Sequence, residues 1–323
     1  MTKKESPAAL PETPSADGTD HLLRIMFGTV SARAHLVRID KSWLEIASRH
    51  NEAPEVMRLL GEMTCASILF SASLKYEGSV ILQIHGDGPV RLAVAECNSN
   101  LKFRSTVKMS ETLAVTPGAD WKSLVNQDNI GRFSVVLDPK VENQNPYQGI
   151  VPLHEAGLAQ ALESYMTRSE QLPTRLWLAC DGDRAAGLLL QRMPDDGGRS
   201  TLGSKDTRDD DWQRLITLAD TLSAQELMTT ESKTLLHHLF WQEQPRLLEN
   251  RAVEFSCSCS RQRVSRMLRS LGEEEVHAII TEQGRVEVNC DFCNAAYQFD
   301  AVDCAELFSG DLPGTSESSP TIH

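Results

Sequence analysis

No charged-then-apolar leader opens this sequence and no run of about 18 apolar residues occurs in it, so neither a secretory signal nor a membrane-spanning helix is expected. The chain is therefore expected in the cytosol. Positive charge is also scarce: 32 lysines and arginines against 45 aspartates and glutamates leave a formal net charge of -13. Such an acidic surface repels phosphate backbones, and a general nucleic-acid role would need a strong local basic patch. The N-terminal region lacks a nucleophile elbow, a Walker loop and a dinucleotide glycine pattern, so no enzyme is expected there and no catalytic or cofactor-binding residues are assigned.

What remains is a globular chain of 323 residues, 41% apolar, long enough for one sizeable core and at least one smaller unit. Its eight cysteines, kept reduced in a cytosol, suit a metal-thiolate site better than permanent disulfides.

Four of those cysteines dominate the reading. Cys257 and Cys259 form C-x-C and Cys290 and Cys293 form C-x-x-C, with 30 residues between the pairs. Two short pairs on tight turns bring four soft ligands to tetrahedral corners at little cost in loop ordering, the arrangement zinc takes in structural sites. Only Ser258 separates the first two sulfurs, so the chain must fold back sharply there, which a helix could not do. The second pair follows an alternating, strand-like stretch at 285–289, placing an ion at a strand end. Structural disulfides, buried thiols or a redox dithiol could use the same residues. A thioredoxin-type motif, however, opens a helix, whereas Cys293 leads into another strand-like piece at 297–299. Iron could occupy the same thiolates, but zinc is the default for four cysteines without a cluster signature.

The fold class expected is α+β: a mixed N-terminal domain, a helical linker and a small C-terminal zinc-binding domain. Residues 1–20 and 311–323 read as disordered tails, the first rich in Pro, Ser, Thr and acids. Residues 21–192 mix strand-like runs at 34–39 and 79–84 with a helix from 54 to about 76 that includes Leu59, Leu60, Met63, Ile68 and Leu74. Residues 85–90 read as a hairpin turn, 131–139 as a strand, 154–171 as a helix and 174–180 as a strand.

Residues 193–255 begin with an acidic, glycine-bearing stretch at 193–211, expected to be a loop. Beyond it Trp212, Leu215, Ile216, Leu218 and Leu222 recur at helical spacing, and 223–226 carry a capping-box signature. Leu235, Leu236, Leu239, Phe240 and Trp241 then precede Pro245. Helices this short cannot bury such side chains alone, so they are either ordinary core or a metastable linker whose apolar face is released on demand. Residues 256–310 form the metal unit, with helices over 261–271 and 273–281 joined at Gly272. A unit that small has a marginal core, and zinc-thiolate binding, on the order of 10–16 kcal/mol, would decide whether it folds.

In its Cys257–Cys259 and Cys290–Cys293 pairs and their settings, with supporting stretches at 147–153 and 61–64, the chain resembles the 33-kDa chaperonin (heat-shock protein 33) family over about residues 21–308. The resemblance implies a redox-regulated, ATP-independent holdase, with one zinc ion on Cys257, Cys259, Cys290 and Cys293 in a reduced form of little chaperone activity. It implies disulfides Cys257 with Cys259 and Cys290 with Cys293 on oxidation. Adjacency in sequence favours the same pairs, although the one-residue ring of the first is strained. The zinc-binding domain and linker then unfold and expose apolar surface to unfolding client proteins. The family further implies a client-binding and dimerisation role for the N-terminal domain, with a monomer when reduced and a homodimer when oxidised.

Cys65, Cys97 and Cys180 fall in apolar or strand-like surroundings and read as buried thiols. Cys304 lies 11 residues past Cys293, where it either forms a competing disulfide or packs, and His277 is a fallback ligand. Arg261, Arg263, Arg266 and Arg269 support a rival, a zinc-dependent nucleic-acid or translation factor. Residues 251–310 nonetheless carry six basic and ten acidic side chains, which favours an arginine face paired with acids.

Overall fold

The computed structural model describes residues 20–74, 76–140, 144–194 and 205–309, with the backbone alone at 205 and 206. The tails expected at 1–20 and 311–323 lie outside the described residues, apart from Asp20. The chain divides into two compact units, Met1–Ser256 and Cys257–His323. Among the described residues no helix is long and apolar enough to cross a membrane.

The first unit is built from two largely antiparallel sheets. In order of entry its elements are β1 (His21–Phe27), β2 (Ala32–Ile39), α1 (Lys41–Ala47), α2 (Pro54–Ser73), β3 (Gly78–His85), β4 (Val90–Asn98), β5 (Lys102–Met109), α3 (Trp121–Val125), β6 (Arg132–Pro139), β7 (Tyr147–Val151), α4 (Leu158–Arg168), β8 (Thr174–Cys180) and β9 (Ala185–Arg192). There follow α5 (Lys205–Ala219), α6 (Ala224–Thr229), α7 (Ser232–Phe240), β10 (Pro245–Ala252) and β11 (Glu254–Phe255). One sheet has the order β10-β1-β2-β9-β8 and the other β11-β5-β4-β3-β6-β7, with β11 parallel to β5.

Helix α2 packs against strands of both sheets and has buried residues all round, among them Leu60, Met63, Ile68 and Phe70. A helix covered on every side shows little amphipathic contrast, which is why its sequence reads as broadly apolar. It stops at Ser73, short of the expected 76, because Leu74 turns to extended backbone (φ -90°, ψ 136°). The helix expected from 154 starts at Leu158, with Gly157 in extended conformation before it. Gly61 is a close-approach position: a Cβ there would lie 2.2 Å from the Cys180 sulfur and 2.7 Å from its Cβ. Gly61→Ala is expected to cost about 1–3 kcal/mol through overpacking, read as a lowered denaturant midpoint at unchanged slope.

The other face of the first sheet is covered by the segment expected to be a linker. Trp212, Leu215, Leu227, Leu235, Leu236 and Phe240 form a second core with Leu23, Ile25, Phe27, Leu36, Leu188 and Leu190. Phe240 meets Phe27 edge-on at 5.2 Å between ring centres. Arg38 of β2 donates to the Leu227 carbonyl (2.6 Å), tying α6 to the sheet. Two expectations need correction. Residues 205–211 are the start of α5, because aspartates suit a helix N-terminal turn and Arg192 pairs with Asp209 (2.6 Å); the rest of that acidic stretch, 195–204, lies outside the described residues. And the segment after Trp241 is an edge strand, β10, pairing with β1, with Pro245 at its first position where no ladder donor is lost.

A polar clasp closes this arrangement. Glu243, 2% exposed, accepts from Arg214 of α5 through Nε (2.7 Å) and Nη2 (3.0 Å) and from the Thr29 hydroxyl (2.5 Å). Those hydrogen bonds, Arg214 first, hold its carboxyl below the ordinary 4.5 against the opposing effect of burial. A depressed carboxyl contributes stability that is present above about pH 4.5 and lost as pH falls through its folded value. Because Arg214 is half exposed, Glu243→Gln is expected to cost only about 1–3 kcal/mol. It should also flatten the acid limb of the pH–stability curve for α5 to α7, followed by amide exchange.

Candidate metal centre

The second unit comprises α8 (Arg261–Leu271), α9 (Glu273–Gln283), β12 (Val286–Asn289), β13 (Ala296–Phe299) and α10 (Ala301–Ser309). Strands β12 and β13 form a two-stranded hairpin. Ser260 caps α8 by accepting from the Arg263 amide, and Gly272, at φ +105°, separates the two helices. Its core is small: among the described residues Leu268, Val276, Val286, Phe299 and Cys304 are the buried side chains.

Cys257 and Cys259 lie in irregular backbone just before the Ser260 cap, so neither is helical, as the one-residue spacing requires. Cys290 and Cys293 occupy the turn between β12 and β13. The Cys290 amide donates to the Ala295 carbonyl (3.0 Å), the Asn294 amide donates to the Cys290 carbonyl (2.8 Å), and Asn294 takes the left-handed φ of 56° that asparagine tolerates. The two turns bring four sulfurs together within 4.8 Å of one another. Sulfurs meet across the pairs, Cys257 to Cys290 at 3.6 Å and Cys259 to Cys293 at 3.3 Å.

This cluster fits a tetrahedral dication. A zinc–thiolate bond of about 2.3 Å places tetrahedral sulfurs about 3.8 Å apart, close to the observed spacing. Desolvation, and then the neighbouring sulfurs Cys259, Cys257 and Cys290, push the Cys293 thiol up to about 12, so four thiolates packed this closely call for a compensating cation. Tyr297 donates its hydroxyl to the Cys259 sulfur (3.0 Å), a supporting contact that sequence reasoning missed. Alternation along β13 could have flagged it, since Tyr297 and the buried Phe299 share a face.

The remaining candidates fall elsewhere. His277 is hydrogen-bonded to Thr281 and is not among the four clustered residues. Cys304 packs in the small core, with its thiol pushed up by burial and by Asp303 and Asp300. Cys65, Cys97 and Cys180 are buried in the first unit, Cys97 being pushed up to about 12 by desolvation. Such thiols are inert, whereas all four clustered cysteines are partly exposed. Of the arginines that suggested a phosphate-binding face, Arg261 pairs with Asp303 (2.8 Å), donates to the Gln298 carbonyl and stacks on Phe299 at 4.1 Å. Arg263 donates to Ser258 between the first two cysteines, so both brace the centre.

A family model described as Hsp33 protein matches residues 20–300. The 33 kDa chaperonin of Methylobacillus flagellatus is 43% identical over 297 residues, covering 91% of this chain and 96% of that protein. That of Chromobacterium violaceum is 42% identical over 293 residues, covering 91% and 95%. Among solved structures, a 33 kDa chaperonin (heat shock protein 33 homolog) from Thermotoga maritima superposes with a TM-score of 0.71 at 22% identity, over 90% of this chain and 98% of that one.

Proposed function

Because this chain belongs to the Hsp33 protein family and so has a chaperone function, we propose that it is a redox-regulated, ATP-independent holdase of the cytoplasm. The observation that carries this reading is the cluster of four partly exposed cysteines, beside four other cysteines that are all buried. Cys257, Cys259, Cys290 and Cys293 would hold one zinc ion. Bound there, zinc would supply a structural charge that keeps four sulfurs ionised and fixes two distant turns together.

The thiolates are also the groups an oxidant attacks. A cysteine thiolate displaces hydroxide from a peroxide and becomes a sulfenic acid. A second thiolate attacks that sulfur, hydroxide leaves, and a disulfide forms; each pair gives up two electrons to one peroxide. The pairing assigned is Cys257 with Cys259 and Cys290 with Cys293, resting on the family resemblance and on adjacency in sequence, although sulfurs also approach across the pairs. Two disulfides leave no thiolate donors in the cluster, and a unit with five buried core side chains among its described residues loses its main support.

Ser256, one residue before Cys257, donates its amide to the Phe103 carbonyl of β5 (2.8 Å). Disorder spreading back through β11 and β10 would reach α7, α6 and α5. Their undocking would bare both their own apolar faces and the sheet face formed by Leu23, Ile25, Phe27, Leu188 and Leu190. A continuous apolar surface of that kind is what an unfolding client recognises. The same surface would support a homodimer in the oxidised state and leave the reduced chain a monomer.

The test treats the reduced, zinc-loaded protein with peroxide at raised temperature, follows zinc with a chelating dye and assays aggregation of a heat-unfolded client without ATP. Release accompanied by new suppression of aggregation is expected. Release without suppression, or equal suppression in both states, would reduce the centre to a structural site. Peptide mapping of the oxidised product should yield the two neighbouring disulfides.

A further inference from the structure

Away from the cysteine centre, the first unit contains a polar cavity of about 200 Å³. Arg24 of β1, Arg33 of β2, Arg251 of β10, Tyr76 and the end of α2 at Ser71 and Ser73 line it. Three guanidinium groups there meet one carboxylate, Glu249, which pairs with Arg24 at 3.1 Å. Arg33 is 9% exposed and fixed in place: its Nε donates to the Gln191 side chain (2.9 Å) and its Nη2 to the Ser73 carbonyl (2.6 Å). Arg251 Nη2 donates to the Ser99 carbonyl (3.3 Å). None of these acceptors carries a full negative charge, and burial together with Arg24 loosens the hold of Arg33 on its proton.

Two further donors sharpen the imbalance. Among the described residues, the Arg24 Nε and the Tyr76 hydroxyl are buried without a hydrogen-bond partner. Buried donors left unmatched are uncommon and point to an unplaced acceptor. His35, two residues beyond Arg33 on β2, adds no charge, because burial and then Arg33 and Arg24 push it down to about 3. The cavity exceeds the room one water needs, and the Arg24 and Glu249 side chains are partly exposed, giving a way in from solvent.

We propose that this cavity binds a free tetrahedral oxyanion, phosphate or sulfate, through Arg24, Arg33 and Arg251, with the Tyr76 hydroxyl as a further donor. Guanidinium groups match such oxygens in charge and in geometry. The ion would join β10 to β1, β2 and the end of α2, and a ligand bound only by the folded form raises its stability by mass action. The site stands independently of the redox reading, because binding is measured on the reduced chain without any chaperone assay.

The experiment titrates the full-length, reduced, zinc-loaded protein with sodium phosphate or sodium sulfate against sodium chloride at equal ionic strength, following thermal midpoint and calorimetric heat. A saturable rise with phosphate and sulfate, absent with chloride, is expected. Arg24→Gln with Arg251→Gln should weaken apparent affinity by about tenfold or more, and Tyr76→Phe should weaken it less. Glu249→Gln, which removes the carboxylate that pairs with Arg24, should tighten it, a gain that a merely damaged fold cannot produce. Arg266→Gln on α8 should change nothing. An equal response to chloride, affinity unaltered by the cavity variants, or loss caused by Arg266→Gln alone would overturn the proposal. So would a response to adenosine monophosphate with none to the free ions.

Discussion

Cys290→Ser is expected to abolish zinc retention and unfold residues 257–309 while leaving α2 and the strands around it folded. The size of the effect follows from the second unit's construction. Among the described residues its core is five buried side chains, one of them a cysteine, and α8 and α9 meet at a glycine with φ of +105°. Zinc-thiolate binding, on the order of 10–16 kcal/mol in modules of this kind, rivals or exceeds the 5–15 kcal/mol net stability of an ordinary domain. Serine is a poor zinc ligand, and a three-sulfur remnant lacks the fourth tetrahedral corner. Amide exchange resolves the outcome: protection should vanish in α8, α9 and β12 and persist in α2. Stripping the metal with a chelator under reducing conditions should give the same pattern. Retained protection in α8 and α9 after either treatment would mean that the small core suffices without the metal.

The second large effect is expected from Phe240→Ala. Phe240 is fully buried, contacts Phe27 edge-on and closes the core between α7 and the first sheet. Removing a buried phenylalanine costs about 3–5 kcal/mol. If α5 to α7 form a marginal element, that loss undocks them locally, and the reduced protein should bind an apolar dye and suppress client aggregation with no oxidant present. If the helices are ordinary core, the loss is shared by the whole first unit. Its midpoint then falls and no activity appears below the transition. The two outcomes separate a released linker from a merely weakened domain, a choice the apolar spacing of Leu235, Leu236 and Phe240 left open.

The cysteine centre was legible because its information is local: one residue between Cys257 and Cys259 and two between Cys290 and Cys293 dictate turns whatever the rest of the chain does. The Ser223 capping box, the hairpin at 85–90 and the two helices around Gly272 were readable for the same reason. What escaped is non-local. Strand β9 is buried along nearly all its length, since α2 covers one face and α5 to α7 the other, so it carries no alternation to betray it. Strand β10 buries only Leu247 fully and is a strand because β1 offers it a free edge. Glu243 carries no local signal in the sequence, and only the fold sets it against Arg214 and Thr29. Tyr297 braces the cysteine cluster through a contact that spans 38 residues.

The central claim is that loss of the four thiolates is transmitted to α5, α6 and α7. Hydrogen–deuterium exchange on the reduced, zinc-loaded protein and on its peroxide-oxidised product tests it most directly. Protection should fall after oxidation in residues 257–309 and in residues 207–240 together, with α2 and β2 unchanged. Loss confined to residues 257–309, with Leu215, Leu235 and Phe240 as protected as before, would contradict the account and leave a zinc domain whose unfolding the rest of the protein does not feel.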